Sequence, residues 1–415
     1  MYLTKLPRYK LIKMTVPETI LWEMRRGVNH SDTEMNSVEL AMAEEAWRRM
    51  QESPAFAELS PRTNYNYVHL NTFYGTQNPQ LLKLLHRLDC EGKLYPYYVE
   101  MEVTQGVCPL RCIQCELTYT LYKEPIQLKF PDFKRVMDMF PDLHWAGNNA
   151  LGDPFTNPEY PKMVEYLDSQ QIPQEIYMTS HLLTEGQMEA FTNYRSFLFT
   201  KFSLDGATKE TYEKIRVGAD FDKIIRNIKA LDRFKREKGK HFPQIEFHYL
   251  IMQQNIHECE QFIEFIDSLD IECSGIMFSQ LLHYYPEIKD TYIEFPEGLG
   301  QKLVEKGKAF GIPVYFNGDT VKDKPAANLC VQWTMPYIFP DGTVIPCCNT
   351  NEANMRSKQK EWSMGNVFET PFREIWNGPK YKALRKSLML GDKENYLPMC
   401  KNLCAVHDIN KVCKI

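Results

Sequence analysis

Three cysteines on one short loop are the residues of this chain best suited to chemistry. Cys108, Cys112 and Cys115 stand in Val107-Cys108-Pro109-Leu110-Arg111-Cys112-Ile113-Gln114-Cys115, a C-x3-C-x2-C spacing. An apolar, strand-like stretch, Tyr97-Tyr98-Val99-Glu100-Met101-Glu102-Val103, precedes them. Three thiolates on one tight turn hold three irons of a four-iron cluster and leave the fourth iron open to a substrate or cosubstrate. Zinc is the competing reading. A structural zinc takes four ligands, commonly as C-x2-C pairs, and no fourth Cys or His follows at short range. The strand before the loop and the motifs after it favour the cluster.

Three weaker signals follow in order. Asn149-Ala150-Leu151-Gly152-Asp153-Pro154 closes the second strand candidate. A turn glycine lets backbone approach a ligand, and Asp153 can accept hydrogen bonds from an ammonium. Lys201-Phe202-Ser203-Leu204-Asp205-Gly206 closes the fourth, with Ser203 and Asp205 expected on one side of the strand. Thr211-Tyr212-Glu213-Lys214-Ile215-Arg216 supplies Arg216, a partner for a carboxylate. Taken singly, these are two turns and a solvated helix charge. Their spacing and order give them weight.

Together these motifs resemble the radical S-adenosylmethionine (SAM) superfamily. Cys108, Cys112 and Cys115 match its cluster loop, and Gly152-Asp153-Pro154 is similar to its Gly-Glu-Pro segment, which engages the methionyl amino group. Ser203-Leu204-Asp205-Gly206, then Tyr212, Ile215-Arg216 and Ile224-Ile225-Arg226-Asn227-Ile228, resemble its SPASM and twitch members. The likeness covers roughly residues 97–400. It implies a SAM site of Gly152, Asp153, Pro154, Ser180, Ser203, Asp205 and Arg216, with the serine near the ribose and the arginine toward the methionyl carboxylate. Three positions depart from the pattern: Gln114 replaces an aromatic residue, Asp153 is a shorter carboxylate, and Ser180-His181 replaces Asn-Gly.

The C-terminal region extends the resemblance. Cys330 and Cys347 enclose Phe339-Pro340-Asp341-Gly342-Thr343-Val344-Ile345-Pro346, a predicted hairpin turning on Asp-Gly. Gly365-Asn366-Val367, Phe372-Arg373-Glu374-Ile375-Trp376, Cys400 and Cys404 follow, as in SPASM or twitch domains. Cys330, Cys347, Cys400 and Cys404 make four ligands, enough for one closed auxiliary 4Fe–4S cluster. Cys413 is an alternative ligand, and a zinc ribbon is the structural alternative. Cys90, Cys259 and Cys273 lack motif context and read as buried apolar filler. A hydrogen-atom donor role for Cys273 or Cys348, or a base role for His283, has little support.

The elements that must position these residues alternate. Strands are expected at 97–104, 142–147, 175–180, 197–204, 245–252, 274–278 and 313–316. Helices are expected at 131–139, 158–169, 184–193, 220–236, 255–268 and 297–310. Alternation implies right-handed βαβ units and a parallel sheet with ligands at the carboxyl ends of its strands. The fold expectation is α/β: a partial (β/α)6 parallel barrel over 96–318, a helical N-terminal extension over 1–95, and a small Cys-rich domain over 319–415. The extension reads as a helical layer, with a substrate-specificity element as the alternative.

Bulk composition narrows the class. The chain has 415 residues, 12 of them cysteine, with net charge −5. It lacks the basic footprint of a nucleic-acid binder, and no apolar run reaches membrane-spanning length. No secretory signal is recognised at its start, so cysteines paired as disulfides are not expected and a cytoplasmic location is.

The resemblance implies reductive cleavage of SAM at the open iron and a 5′-deoxyadenosyl radical that takes a hydrogen atom from a substrate. The electron is expected from a flavodoxin- or ferredoxin-type reductant. A small polar metabolite of sugar or sugar-alcohol type is the favoured substrate, dehydrogenated or dehydrated with help from the auxiliary cluster. The alternatives are radical modification of a ribosomally made peptide and, in a different class, a zinc-containing binding protein without activity.

Overall fold

The computed structural model describes residues 96, 98–119, 125–141, 143, 145–281, 286–317, 333, 335–347, 356–390, 392–398 and 400. The expected N-terminal extension, Cys90, His283, Cys330, Cys348, Cys404 and Cys413 lie outside the described residues.

Seven parallel strands form the frame: β1 (Tyr98–Val107), β4 (Trp145–Gly152), β5 (Gln174–Met178), β6 (Phe197–Ser203), β8 (Gln244–Ile251), β9 (Cys273–Gln280) and β10 (Val314–Asn317). Short pieces complete the set: β2 (Arg111–Cys112), β3 (Ile126–Gln127), β7 (Arg216–Val217), β11 (Tyr337–Ile338), β12 (Thr343–Ile345) and β13 (Gly365–Asn366). Each parallel strand pairs with its predecessor, so the order runs β1-β4-β5-β6-β8-β9-β10 without reversal. A doubly wound sheet reverses at a switch point; this one advances in a single direction, as a barrel does. Among the described residues it is open, because β1 and β10 are not paired.

The helices are α1 (Glu116–Tyr119), α2 (Phe130–Met137), α3 (Tyr160–Ser169), α4 (Glu185–Phe191), α5 (Lys209–Ile215), α6 (Phe221–Glu237), α7 (Cys259–Ser268), α8 (Leu299–Ala309), α9 (Arg356–Glu361), α10 (Phe372–Trp376) and α11 (Pro379–Leu390). Start signals in the sequence explain several. Thr184 and Gln187 form a capping box on α4, and the Asp220 carboxylate takes Lys223 N–H at the head of α6. Residues on one strand face, among them Val99, Met101, Val103, Ile176, Phe202, Phe247, Tyr249, Ile276 and Phe278, pack against Phe133, Met163, Met188, Ile228, Phe262 and Leu303 of the helices. The apolar core therefore lies between sheet and helices.

The region after β10 is part of the same body. β11 pairs parallel with β1, with Tyr337 opposite Glu100, and β12 returns antiparallel through the expected turn at Asp341-Gly342. Trp333, Val344, Trp376 and Tyr381 join the same core, and Phe372 lies 4.6 Å from Phe140 between ring centroids. The sequence analysis placed a hairpin here without its docking on β1.

Candidate functional site

β1 ends at Val107 and delivers the chain directly to Cys108. Arg111–Cys112 forms β2, which pairs with β7 so that Cys112 faces Arg216. Cys115 N–H returns to the Cys112 carbonyl at 3.0 Å. Thr118 Oγ1 on α1 donates to that carbonyl at 2.7 Å. A ribbon and a helical turn thus hold the cysteine loop from both ends.

Cys112 is buried, and Cys108 and Cys115 are half-buried. Burial lifts the Cys108 thiol to about 11 and that of Cys115 to about 12. It raises Cys112 too, and the Arg216 charge opposes that rise. Buried thiols become thiolates only against strong local positive charge. Three soft sulfur donors in such a setting fit an iron–sulfur cluster. Among the described residues no three His, Cys, Asp or Glu side chains converge as the ligands of a single ion would.

The Gly152-Asp153-Pro154 segment lies against the base of this loop. Gly152 has φ +151°, and a Cβ there would sit 2.3 Å from the Val107 carbonyl oxygen. Glycine alone permits that approach. Asp153 N–H then donates to the same carbonyl at 2.9 Å. One Asp153 oxygen accepts from Phe155 N–H at 2.9 Å, and the other accepts from Thr179 Oγ1 at 3.4 Å. Thr179 Oγ1 also meets His181 Nδ1 at 2.7 Å. Burial raises the Asp153 carboxyl and pushes His181 down to about 4. Ser180 Oγ and His181 Nε2 are buried with no hydrogen-bond partner among the described residues. Two residues of α6 hold this turn: Lys223 Nζ donates to the His181 carbonyl, and Asn227 Nδ2 to those of Ser180 and Leu183. That is a mechanical reason for the Ile224-to-Ile228 motif, which the sequence offered only as a likeness.

Ser203 and Asp205 do not share a target. β6 ends at Ser203, which is half-buried. Asp205 is fully enclosed, and its oxygens are occupied within the chain. Oδ1 accepts Leu250 N–H at 2.9 Å. Oδ2 accepts Arg216 Nε at 2.8 Å and Nη2 at 2.7 Å, and Gln114 Nε2 at 3.3 Å. Arg216 Nη1 is left 4.0 Å from Cys112 Sγ. Gln114, the departure from the aromatic pattern, is thus turned into the Asp205–Arg216 pair.

Of the expected auxiliary ligands, Cys347 follows β12 and is buried, and Cys400 is half-buried against the core. Cys330 and Cys404 lie outside the described residues, as does the alternative Cys413. Sequence reasoning missed a further group on the inner face of the sheet: Glu175, Tyr177, Lys201, Glu246 and His248. The strict alternation in Gln244-Ile245-Glu246-Phe247-His248-Tyr249-Leu250-Ile251 was the available signal.

Fold, family match and relatives together support a radical SAM enzyme with an iron–sulfur domain at its C-terminal end. The SPASM iron–sulfur cluster-binding domain matches residues 330–405. That match, with the relatives of this chain, supports the SPASM/twitch subgroup of the radical SAM superfamily. SAM and 4Fe–4S clusters, one core and one auxiliary, are its cofactors. It is 23% identical over 334 residues to the tungsten-containing aldehyde ferredoxin oxidoreductase cofactor-modifying protein of Pyrococcus furiosus, covering 75% of this chain and 88% of the relative. It is 23% identical over 295 residues to the PqqA peptide cyclase of Granulibacter bethesdensis, covering 67% and 73%. The SAM-bound structure of SuiB from Streptococcus suis shares the fold, with a TM-score of 0.59 at 13% identity over 90% of each chain. No helix among the described residues is long and apolar enough to cross a membrane.

Proposed function

We propose that this enzyme modifies a peptide by radical chemistry. The observation that carries the reading is the kind of relative found. One is a PqqA peptide cyclase, and the AlbA protein of Bacillus subtilis, 21% identical over 328 residues, serves biosynthesis of the bacteriocin subtilosin. SuiB, whose fold this chain shares, has also been crystallised with its precursor peptide SuiA. This support falls on the peptide alternative rather than on the small polar metabolite that the sequence analysis favoured.

On this reading Cys108, Cys112 and Cys115 hold the core cluster, and Cys330, Cys347, Cys400 and Cys404 the auxiliary one, with Cys413 as a possible substitute. When bound, the core cluster and SAM supply one-electron cleavage and hydrogen-atom abstraction. The chain's residues place and shield the reacting groups. Asp153, aided by Thr179, accepts from the methionyl ammonium. Gly152 and Pro154 set the backbone against the loop. Ser180 and Ser203 offer hydroxyls to the cosubstrate, and Arg216, fixed by Asp205, faces the cluster side. The inner wall of the parallel strands receives the substrate and excludes water.

The test is anaerobic reconstitution followed by mass spectrometry with candidate precursor peptides encoded beside this chain. Expected are 5′-deoxyadenosine and a peptide whose mass changes, both abolished in Cys112→Ala. Turnover of a sugar alcohol with no peptide product would reverse the reading.

A further inference from the structure

The inner face of the parallel sheet carries charge where a closed, packed barrel carries aliphatic side chains. Register sets Tyr177 of β5 beside Lys201 of β6, and Lys201 beside Glu246 of β8. Lys201 is buried, and its Nζ stands 2.5 Å from Glu175 Oε2, 3.3 Å from Tyr177 Oη and 4.8 Å from the centre of the Tyr177 ring. Its distance to Glu246 Oε2 is 4.0 Å, beyond a hydrogen bond. One ammonium therefore stands between two carboxylates, nearer to Glu175.

Glu246 accepts no hydrogen bond among the described residues, yet only 20% of its side chain is exposed. A carboxyl group enclosed this far without a hydrogen-bond donor has unused acceptor capacity. One step up the same face, His248 Nε2 meets Ser279 Oγ at 3.1 Å, and Nδ1 has no partner among the described residues. Burial pushes His248 down to about 4, so at neutral pH it is an uncharged imidazole. The Tyr177 ring stands edge-on to it at 5.9 Å. This side of the strand is the more accessible one. Glu246, His248 and Leu250 are all half-buried, whereas Ile245, Phe247, Tyr249 and Ile251 on the helix side are buried. Register sets His248 beside Ser203, the last residue of β6.

We propose that this wall seats a cationic nitrogen of the substrate, a primary ammonium or a guanidinium, with Glu246 as its acceptor and Tyr177 and His248 beside it. The inference deepens the peptide reading and rests on it only for the molecule that carries the cation. On that reading the group is a lysine or arginine side chain of the peptide. The wall has the means to hold it: a carboxylate for the charge, a ring for cation–π contact and a neutral imidazole for a further hydrogen bond.

The experiment is calorimetric titration of the full, reconstituted protein with three probes: n-butylammonium, n-propylguanidinium and neutral 1-pentanol. Each is run with and without saturating SAM, and each is repeated on Glu246→Gln. Expected is binding of at least one cation, about tenfold or more tighter than pentanol and unaffected by SAM. The tighter cation identifies lysine-like or arginine-like chemistry. Glu246→Gln should remove that preference and leave pentanol unchanged. No cation binding, equal binding of pentanol, or displacement of the cation by SAM would each overturn the proposal on the wild-type protein alone, even if the variant fails to fold. Cation binding without any peptide product would count against the peptide reading and leave this one standing.

Discussion

The sequence predicts a carboxylate partner for Arg216 without showing which one. A lone arginine after a helix reads as surface charge, but here its guanidinium lies between the Asp205 carboxylate and the Cys112 sulfur. Breaking a buried pair by removing one partner costs about 3–5 kcal/mol, because the other charge stays enclosed. Arg216→Gln is therefore expected to lower the urea midpoint markedly. It should also lower the core-cluster reduction potential in an EPR-monitored redox titration, since a positive charge beside a sulfur ligand favours the reduced form. An unchanged potential in a folded variant would show that the guanidinium does not act on the cluster. His248 gives a second residue-scale prediction. Burial holds its folded value near 4 against an ordinary 6.5, so the unfolded chain binds more protons between those values. Its contribution to stability is complete above pH 6.5 and is lost as pH falls toward 4. His248→Gln should flatten that acid loss in denaturation midpoints measured across the window.

At the scale of elements, the cysteine loop depends on how closely β4 approaches β1. Gly152 is where that approach is tightest, and a methyl group there collides with backbone rather than with a yielding side chain. Gly152→Ala should displace Asp153 from the loop and weaken SAM binding by about tenfold or more in calorimetry. Intact affinity would mean that the segment is not part of the cosubstrate site. Strand and helix positions were legible because their apolar periods differ, 2 for strands and 3.6 for helices. Strand ends were less so. The second strand was expected at 142–147 and runs Trp145–Gly152, because pairing with β1 extends it through residues of low strand propensity. The β2–β7 ribbon was invisible, since two residues on each side carry no period and the pairing spans about a hundred positions.

Over the described molecule, an ion pair ties the C-terminal region to the parallel sheet. Arg356 of α9 reaches both oxygens of Glu102 on β1, at 2.8 and 2.7 Å, and stacks 3.6 Å from the centre of the Phe339 ring. Tyr337 Oη adds a hydrogen bond to Glu102 at 3.4 Å. The pair, together with β11 on β1, fixes the auxiliary domain against the strand that leads into the core cysteine loop. Arg356→Gln should cost about 3–5 kcal/mol in chemical denaturation. It should also expose the region after β10 to limited proteolysis before the barrel unfolds. Simultaneous loss of both would show that the two parts form one cooperative unit.

The sequence by itself determined the chemistry class and the α/β frame. Both reside in local patterns: a cysteine spacing, a few strand-end motifs and apolar periods. Tertiary structure decided what those patterns serve. It assigned Asp205 to Arg216 rather than to an open site, turned Gln114 onto the same carboxylate, and brought Glu175, Lys201 and Glu246 from three strands onto one wall. The physical reason is range. Period and spacing act over a few residues, whereas a buried charge finds its partner across the sheet, where sequence separation carries no signal.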